Sequence, residues 1–262
     1  MSSLLLFDIG NTRITIGAYR GDELISTWHI TTHVEGTADE YAALLRSLLR
    51  QKSINDIAFD GCALASSVPP LVSTFEELCA RHLHLRKPLV VGPGVKTGLN
   101  IRTDSPREVG ADRIANAVAA KKFYSAPAII IDFSIATIFD ALNDAGDYVG
   151  TAIAAGVGTS ADALYRTAAQ LPRVELIAPA SQSGIGKNTV SALQAGLIYG
   201  YVALVEGMIA RLKKELGTRA RVIATGEMVH LIAPETKAID IVDEALTLKG
   251  LKVIWEMNRA IG

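Results

Sequence analysis

The chain has 262 residues, 49% of them hydrophobic, enough to bury a substantial core in one large domain or two medium ones. Its 26 basic and 27 acidic residues leave a net charge of -1, which gives no electrostatic reason to expect nucleic acid or an anionic membrane as partner. Two cysteines, Cys62 and Cys79, do not make a disulfide framework or a Cys-x-x-Cys motif, and the five histidines lack zinc-ligand spacing.

Residues 1–7 are apolar but run straight into Asp8 and Asn11, without a basic leader or a small-residue cleavage site, so no signal peptide is expected. No apolar run reaches the roughly 20 residues that cross a bilayer. The expectation is a cytoplasmic protein.

Residues 4–7 read as a buried strand ending at Asp8. Residues 14–19 and 24–31 read as two further strands, joined by a Gly21-Asp22 turn. Thr37 and Glu40 have capping-box spacing, and Tyr41, Leu44, Leu45, Leu48 and Leu49 follow at helical period. A strand over 62–68 is stopped by Pro69-Pro70; a helix over 71–82, a short strand over 88–91 and a loop over 92–98 follow. His82 and His84 could share a strand face but read better as surface residues.

The second half repeats the plan. Strands are expected over 128–131, 136–142 and 148–154, with a turn at 143–147. Helices are expected over 160–170 and 188–216, a strand over 221–224, and a helix over 248–260. Phe7-Asp8-Ile9-Gly10-Asn11 lies over Ile131-Asp132-Phe133-Ser134-Ile135 at an offset of 124 residues. Such a duplication predicts two similar α/β lobes, residues 1–115 and 116–262, with a cleft between them. The junction falls in a helical stretch over 113–124.

Four segments carry candidate chemistry. In Asp8-Ile9-Gly10-Asn11-Thr12 a carboxylate meets a tight glycine turn: Gly10 admits a phosphate, Asn11 and Thr12 donate to it, and Asp8 holds magnesium. The same residues also suit an ordinary hairpin. Gly110-Ala111-Asp112-Arg113 could pair a general base with an anion binder, or be a helix start with Asp112 facing the dipole. Gly186-Lys187-Asn188-Thr189 fails the P-loop test, because Ser181 stands where the first glycine belongs. A helix cap is the safer reading, with Thr189 still able to reach a ligand. Gly156-Val157-Gly158-Thr159-Ser160-Ala161, with Glu175 downstream, resembles a dinucleotide fingerprint, but the strands before it form a meander and not a βαβ unit.

The first three of these segments, with Thr37 to Tyr41, Lys96-Thr97-Gly98-Leu99-Asn100 and Ala224-Thr225-Gly226, occur in an order and spacing that resembles the type III pantothenate kinases. The resemblance runs from about Leu4 to Arg259. It implies two RNase H-like, actin-like ATPase lobes, each a mixed sheet with helices. It implies ATP-dependent phosphorylation of pantothenate in coenzyme A biosynthesis, by a homodimer using magnesium and a monovalent cation, K+ or NH4+. Carried over by position, Asp8, Ile9, Gly10, Asn11, Thr12 and Arg13 form the first phosphate loop, with Ile135 on the ATP side. Gly110, Ala111, Asp112, Arg113 and Thr189 form the pantothenate site. Asp112 is the general base, Asp132 helps bind the monovalent cation, and Asp8 binds magnesium.

The departures from the family pattern cluster on the ATP side. Ser134 stands in place of a glycine, at a cost of about 1 kcal/mol if the backbone there needs a positive φ. Ile135 and Ile138 each replace a hydroxyl-bearing threonine. Thr151, Ala155 and Glu227 replace further usual residues. A non-catalytic paralogue with a binding or regulatory role is therefore the alternative to an active kinase, and another metabolite kinase or hydrolase of the superfamily is a third reading.

Overall fold

The computed structural model describes residues 2–52, 54 and 57–259. Ten strands form two five-stranded sheets of the same topology. The first contains β1 (Ser3–Ile9), β2 (Arg13–Arg20), β3 (Glu23–Thr31), β4 (Gly61–Ser66) and β5 (Leu89–Val90), in the order β3-β2-β1-β4-β5. The second contains β6 (Ala128–Phe133), β7 (Ala136–Leu142), β8 (Tyr148–Ala155), β9 (Arg221–Thr225) and β10 (Ile241–Val242), in the order β10-β9-β6-β7-β8. In each, the meander is antiparallel and the later strands join in parallel. Asp8 and Asp132 hold equivalent registers: Asp8 lies between Thr15 and Ala65, Asp132 between Ile138 and Thr225. The duplication expected from the sequence is thus present strand for strand.

Packing groups the described residues within 1–98, 105–119 and 246–262 as one unit, and 99–104 with 120–245 as the other. This differs from a cut at 115/116. The division falls inside α3 (Ala111–Phe123), and α7 (Leu246–Asn258) packs on β1 and β4 of the first sheet.

In the first unit, β1 is central and buried on both faces. Leu5, Phe7 and Ile9 face a core with Tyr41 and Leu45 of α1 (Ala38–Gln51) and Phe75 of α2 (Pro69–Glu77). Phe75 meets Phe7 edge-on, with ring centroids 5.0 Å apart. Thr37 caps α1 through the expected reciprocal box. Strand alternation puts Leu4, Leu6 and Asp8 on the other face. There the partners of Leu4 and Leu6, Gly61 and Gly17, lie under Trp255 and Leu248 of α7. A Cβ on either glycine would come within 3 Å of α7, so these positions set how closely the helix approaches.

The helix expected over 71–82 starts at Pro69, as proline at a first turn allows, and continues past Glu77 as a π turn over Leu78–His82. His82 and His84 share no strand: His82 ends that turn against Asp39 at 2.8 Å, and His84 has φ 52°. Cys62 and Cys79 are buried free thiols 3.2 Å apart, and their contact with burial pushes the Cys79 thiol well above its usual range.

In the second unit, Ile129, Ile131, Phe133 and Phe139 pack against Tyr201, Val202, Val205 and Ile209 of α5 (Thr189–Leu216). Helix α5 is long and apolar enough to cross a membrane, unlike any run seen in the sequence reading, but 44% of its most apolar window is buried. Helix α4 (Val157–Thr167) starts three residues earlier and ends sooner than expected, because Gly156 caps it directly after β8. Strand β10 and the short α6 (Val229–Ile232) were not expected. The last helix begins at Leu246; residue 260, its expected end, lies outside the described residues.

Candidate functional site

The β1–β2 loop is braced from both sides. The Gly10 N–H donates to the Arg13 carbonyl at 3.0 Å, so that amide is engaged within the turn. A Cβ on Gly10 would stand 2.9 Å from the same carbonyl, so glycine here serves the tightness of the turn itself. Asn11 and Thr12 at the tip are exposed, and Asp8 is half-buried at the strand end. Thr32 was missed in the sequence reading. Its hydroxyl donates to the Gly10 carbonyl at 2.7 Å, and its N–H to the Thr12 carbonyl at 3.0 Å. A threonine just past the end of the third strand was the available signal.

The Gly110 to Arg113 segment opens α3, as the helix-start reading anticipated. The Ile114 N–H donates to the Gly110 carbonyl at 3.0 Å, closing the first turn. Asp112 sits in that turn, where the helix dipole favours a carboxylate. Its Oδ1 lies over Gly110: a Cβ there would be 2.5 Å from this oxygen. Gly110 therefore makes room for the Asp112 carboxylate.

In the second unit the β6–β7 loop lies against two glycines. At Gly156 a Cβ would come 2.3 Å from the Ser134 carbonyl and 2.5 Å from that of Ile135. Gly226 has φ 98°, and a Cβ there would meet the Phe133 backbone at 2.5 Å and Asp132 Oδ1 at 2.6 Å. The loop carbonyls are also tied: Gly156 N–H and the Thr159 hydroxyl donate to Ile135, at 2.9 and 2.7 Å, and Met228 N–H donates to Phe133 at 3.0 Å.

The condition for strain at Ser134, a positive φ, is not met. Among the described residues only His84, Ser125 and Gln182 are non-glycine positions with positive φ. The Ser134 hydroxyl and N–H both donate to the Ala136 carbonyl, at 3.1 and 3.0 Å, so the serine is accommodated inside the turn. Ile135 is 43% exposed. Behind the loop, buried Thr137 shares a hydrogen bond with Tyr201, whose hydroxyl also donates to the Ala155 carbonyl at 3.2 Å. Burial raises the Tyr201 pKa above its ordinary value.

Thr189 is exposed as the first residue of α5. Asn188 caps that helix, accepting from Ser191 N–H at 2.9 Å, as the cap reading anticipated. Gly186 is packed so close that a Cβ would fall 2.1 Å from Ala192 N, which explains the glycine without a phosphate. The Gly156 to Ala161 segment follows an antiparallel strand, so it opens no βαβ unit. Among the described residues no three His, Cys, Asp or Glu side chains form a metal cage.

A family model described as type III pantothenate kinase matches residues 4–211. A protein of Moorella thermoacetica named type III pantothenate kinase is 48% identical over 255 residues, 97% of this chain and 99% of that protein. One of the same name from a Geobacillus species is also 48% identical over 255 residues, 97% and 98% of the two chains. Among solved structures, a putative Baf family transcriptional activator from Campylobacter jejuni superposes with a TM-score of 0.60 at 17% identity, covering 98% of this chain and 99% of its own. The activator of 2-hydroxyisocaproyl-CoA dehydratase from Clostridium difficile, with bound ADPNP, gives 0.57 at 12%, covering 99% and 97%. These structural likenesses concern fold alone, and they are to actin-like ATPase and sugar-kinase folds, as the family resemblance implied.

Proposed function

We propose that this chain, which belongs to the type III pantothenate kinase family, transfers the γ-phosphoryl group of ATP to pantothenate, forming 4'-phosphopantothenate for coenzyme A biosynthesis. The match at 48% identity to relatives of that name, end to end, is the observation that carries this reading. The non-catalytic alternative is not favoured, and the relaxed backbone at Ser134 removes one of its supports.

Phosphoryl transfer asks mainly for positioning and charge neutralisation. In this reading Asp112 takes the proton from the primary hydroxyl of pantothenate. That oxygen then bonds to the γ-phosphorus as the bond to ADP breaks. The location of Asp112 over Gly110 in the first turn of α3 supports the role, since the carboxylate is held without being buried away. Gly110, Ala111, Arg113 and Thr189 bind pantothenate. Asp8 to Arg13 hold the phosphates, with Asn11 and Thr12 as the exposed donors of the loop.

The donor set suits hard cations. Magnesium commonly takes one or two carboxylates and completes its shell with phosphates and water, so the half-buried strand-end carboxylate of Asp8 fits it. Asp132, whose carboxylate lies over Gly226, would hold K+ or NH4+. Bound cations would neutralise phosphate charge. A homodimer is proposed with this function, and the exposed Ile153 on edge strand β8 and Val190 on α5 supply apolar surface for it. The setting proposed is the cytoplasm, with no nucleic-acid or membrane partner.

The test is turnover of pantothenate with MgATP and K+. The wild type makes phosphopantothenate, and Asp112→Asn loses at least about 100-fold in kcat, the usual scale for a general base. Equal activity of the two would remove Asp112 from this role.

A further inference from the structure

A buried polar contact joins α3 and α7 in the first unit. Asn116 is completely buried in α3, and Thr247 of α7 is 7% exposed. The Thr247 hydroxyl donates to Asn116 Oδ1 at 2.8 Å across 131 residues of sequence. Around this pair the two helices are in close contact: a Cβ on Gly250 of α7 would lie 1.9 Å from the Ala115 carbonyl. An apolar pair of the same shape would fill this space at little cost, whereas a buried amide demands partners.

Asn116 stands four residues after Asp112, so the two share a face of α3. Helical side chains lean towards the N-terminus, so Asn116 covers the turn that carries Asp112. Helix α7 also lies on the sheet face to which strand alternation directs Asp8. One helix thus supports both the strand leading to the phosphate loop and the turn bearing the proposed base.

We propose that Thr247 and Asn116 are positioning residues for Asp112: the Thr247 hydroxyl fixes the Asn116 amide in one orientation, and the amide fixes the first turn of α3. The inference rests on Asp112 being the general base. Its chemical content is that α7 sets the direction of the carboxylate and leaves affinity for pantothenate to other residues.

The test uses the full chain, with Thr247→Val, Thr247→Ala and Thr247→Ser beside Asp112→Asn. Thr247→Val keeps the shape and removes the donor. Its kcat falls about tenfold while KM for pantothenate stays within about twofold, since misaiming acts on the transition state. Thr247→Ser restores kcat, and adding Thr247→Val to Asp112→Asn lowers kcat no further. Should Thr247→Val not fold, Thr247→Ala carries the same comparison. Wild-type kcat and an unshifted pH profile in the hydroxyl-free variant, with Asp112→Asn inactive, overturn the positioning role and leave the base in place. Loss of kcat that serine does not restore also overturns it. Activity retained in Asp112→Asn overturns the base assignment itself, and with it this inference.

Discussion

Gly110→Ala isolates the geometry of the proposed base. Gly110 lacks a left-handed φ, so alanine meets no backbone penalty. Its Cβ would lie 2.5 Å from Asp112 Oδ1, whereas ordinary contact begins at 3.4 Å. The carboxylate must withdraw by roughly 0.9 Å or rotate away. The next neighbour, Arg113 Cδ at 3.7 Å, is not disturbed. A misplacement near 1 Å costs on the order of 100-fold in rate, or about 2.7 kcal/mol of transition-state stabilisation. Initial rates of ADP release at saturating pantothenate should therefore fall about 100-fold, with Tm within about 2 °C of wild type. Gly92→Ala is the control, because a Cβ there meets nothing within 4 Å. A kcat for Gly110→Ala within about twofold of that control would refute the link between this oxygen and the reaction.

Ile135→Thr probes the ATP side. Its side chain is exposed and its carbonyl is held by Gly156 and Thr159 whatever the side chain, so Tm should change by less than about 2 °C. A hydroxyl bond to phosphate should tighten ATP binding about tenfold by calorimetry; an unchanged Kd would mean that this position faces away from the nucleotide. Lys252 donates to Asp22 and Glu256, each at 2.7 Å. Burial alone would depress its pKa, but the two carboxylates outweigh that and raise it, while Lys252 lowers that of Asp22. The lysine's contribution is therefore full below its ordinary 10.5 and fades as pH rises through the higher folded value. The aspartate's contribution is present above 3.8 and fades as pH falls through the lower one. The Tm difference between wild type and Lys252→Met should be flat across neutral pH and change at both extremes; a difference that is the same at about pH 11 as at pH 7 would contradict it.

Local rules carried the sequence reading far. The Thr37–Glu40 box, the stop at Pro69-Pro70 and the turn at Gly146, with φ 73°, each depend on residues a few positions apart, and each is found. The offset of Asp132 on Asp8 was readable because an apolar strand ending in aspartate and followed by a second strand occurs in both halves. What escaped were features fixed by distant partners. Strand β10 is two residues long and exists by pairing with β9. Helix α7 is amphipathic like many others, and contacts more than 130 residues away, with Gly17, Gly61 and Ala115 among them, assign it to the first unit. At the site, the motif residues stand together in sequence, but the reasons for Gly156 and Gly226 lie in the backbone of another loop. The cost weighed for Ser134 depends on a positive φ inherited from the usual glycine, and the serine turns without one.

The place of α7 in the first unit also bears on the order of assembly in the cell. Residues 120–245, which make up nearly all of the second unit, are synthesised before residues 246–258. The first sheet, though synthesised earliest, must wait with the Gly17 and Gly61 face open until that helix emerges. The common N-to-C order of co-translational folding is reversed for its final step. A nascent chain stalled before Leu246 would lack the helix that covers that apolar face and leave it open to chaperones.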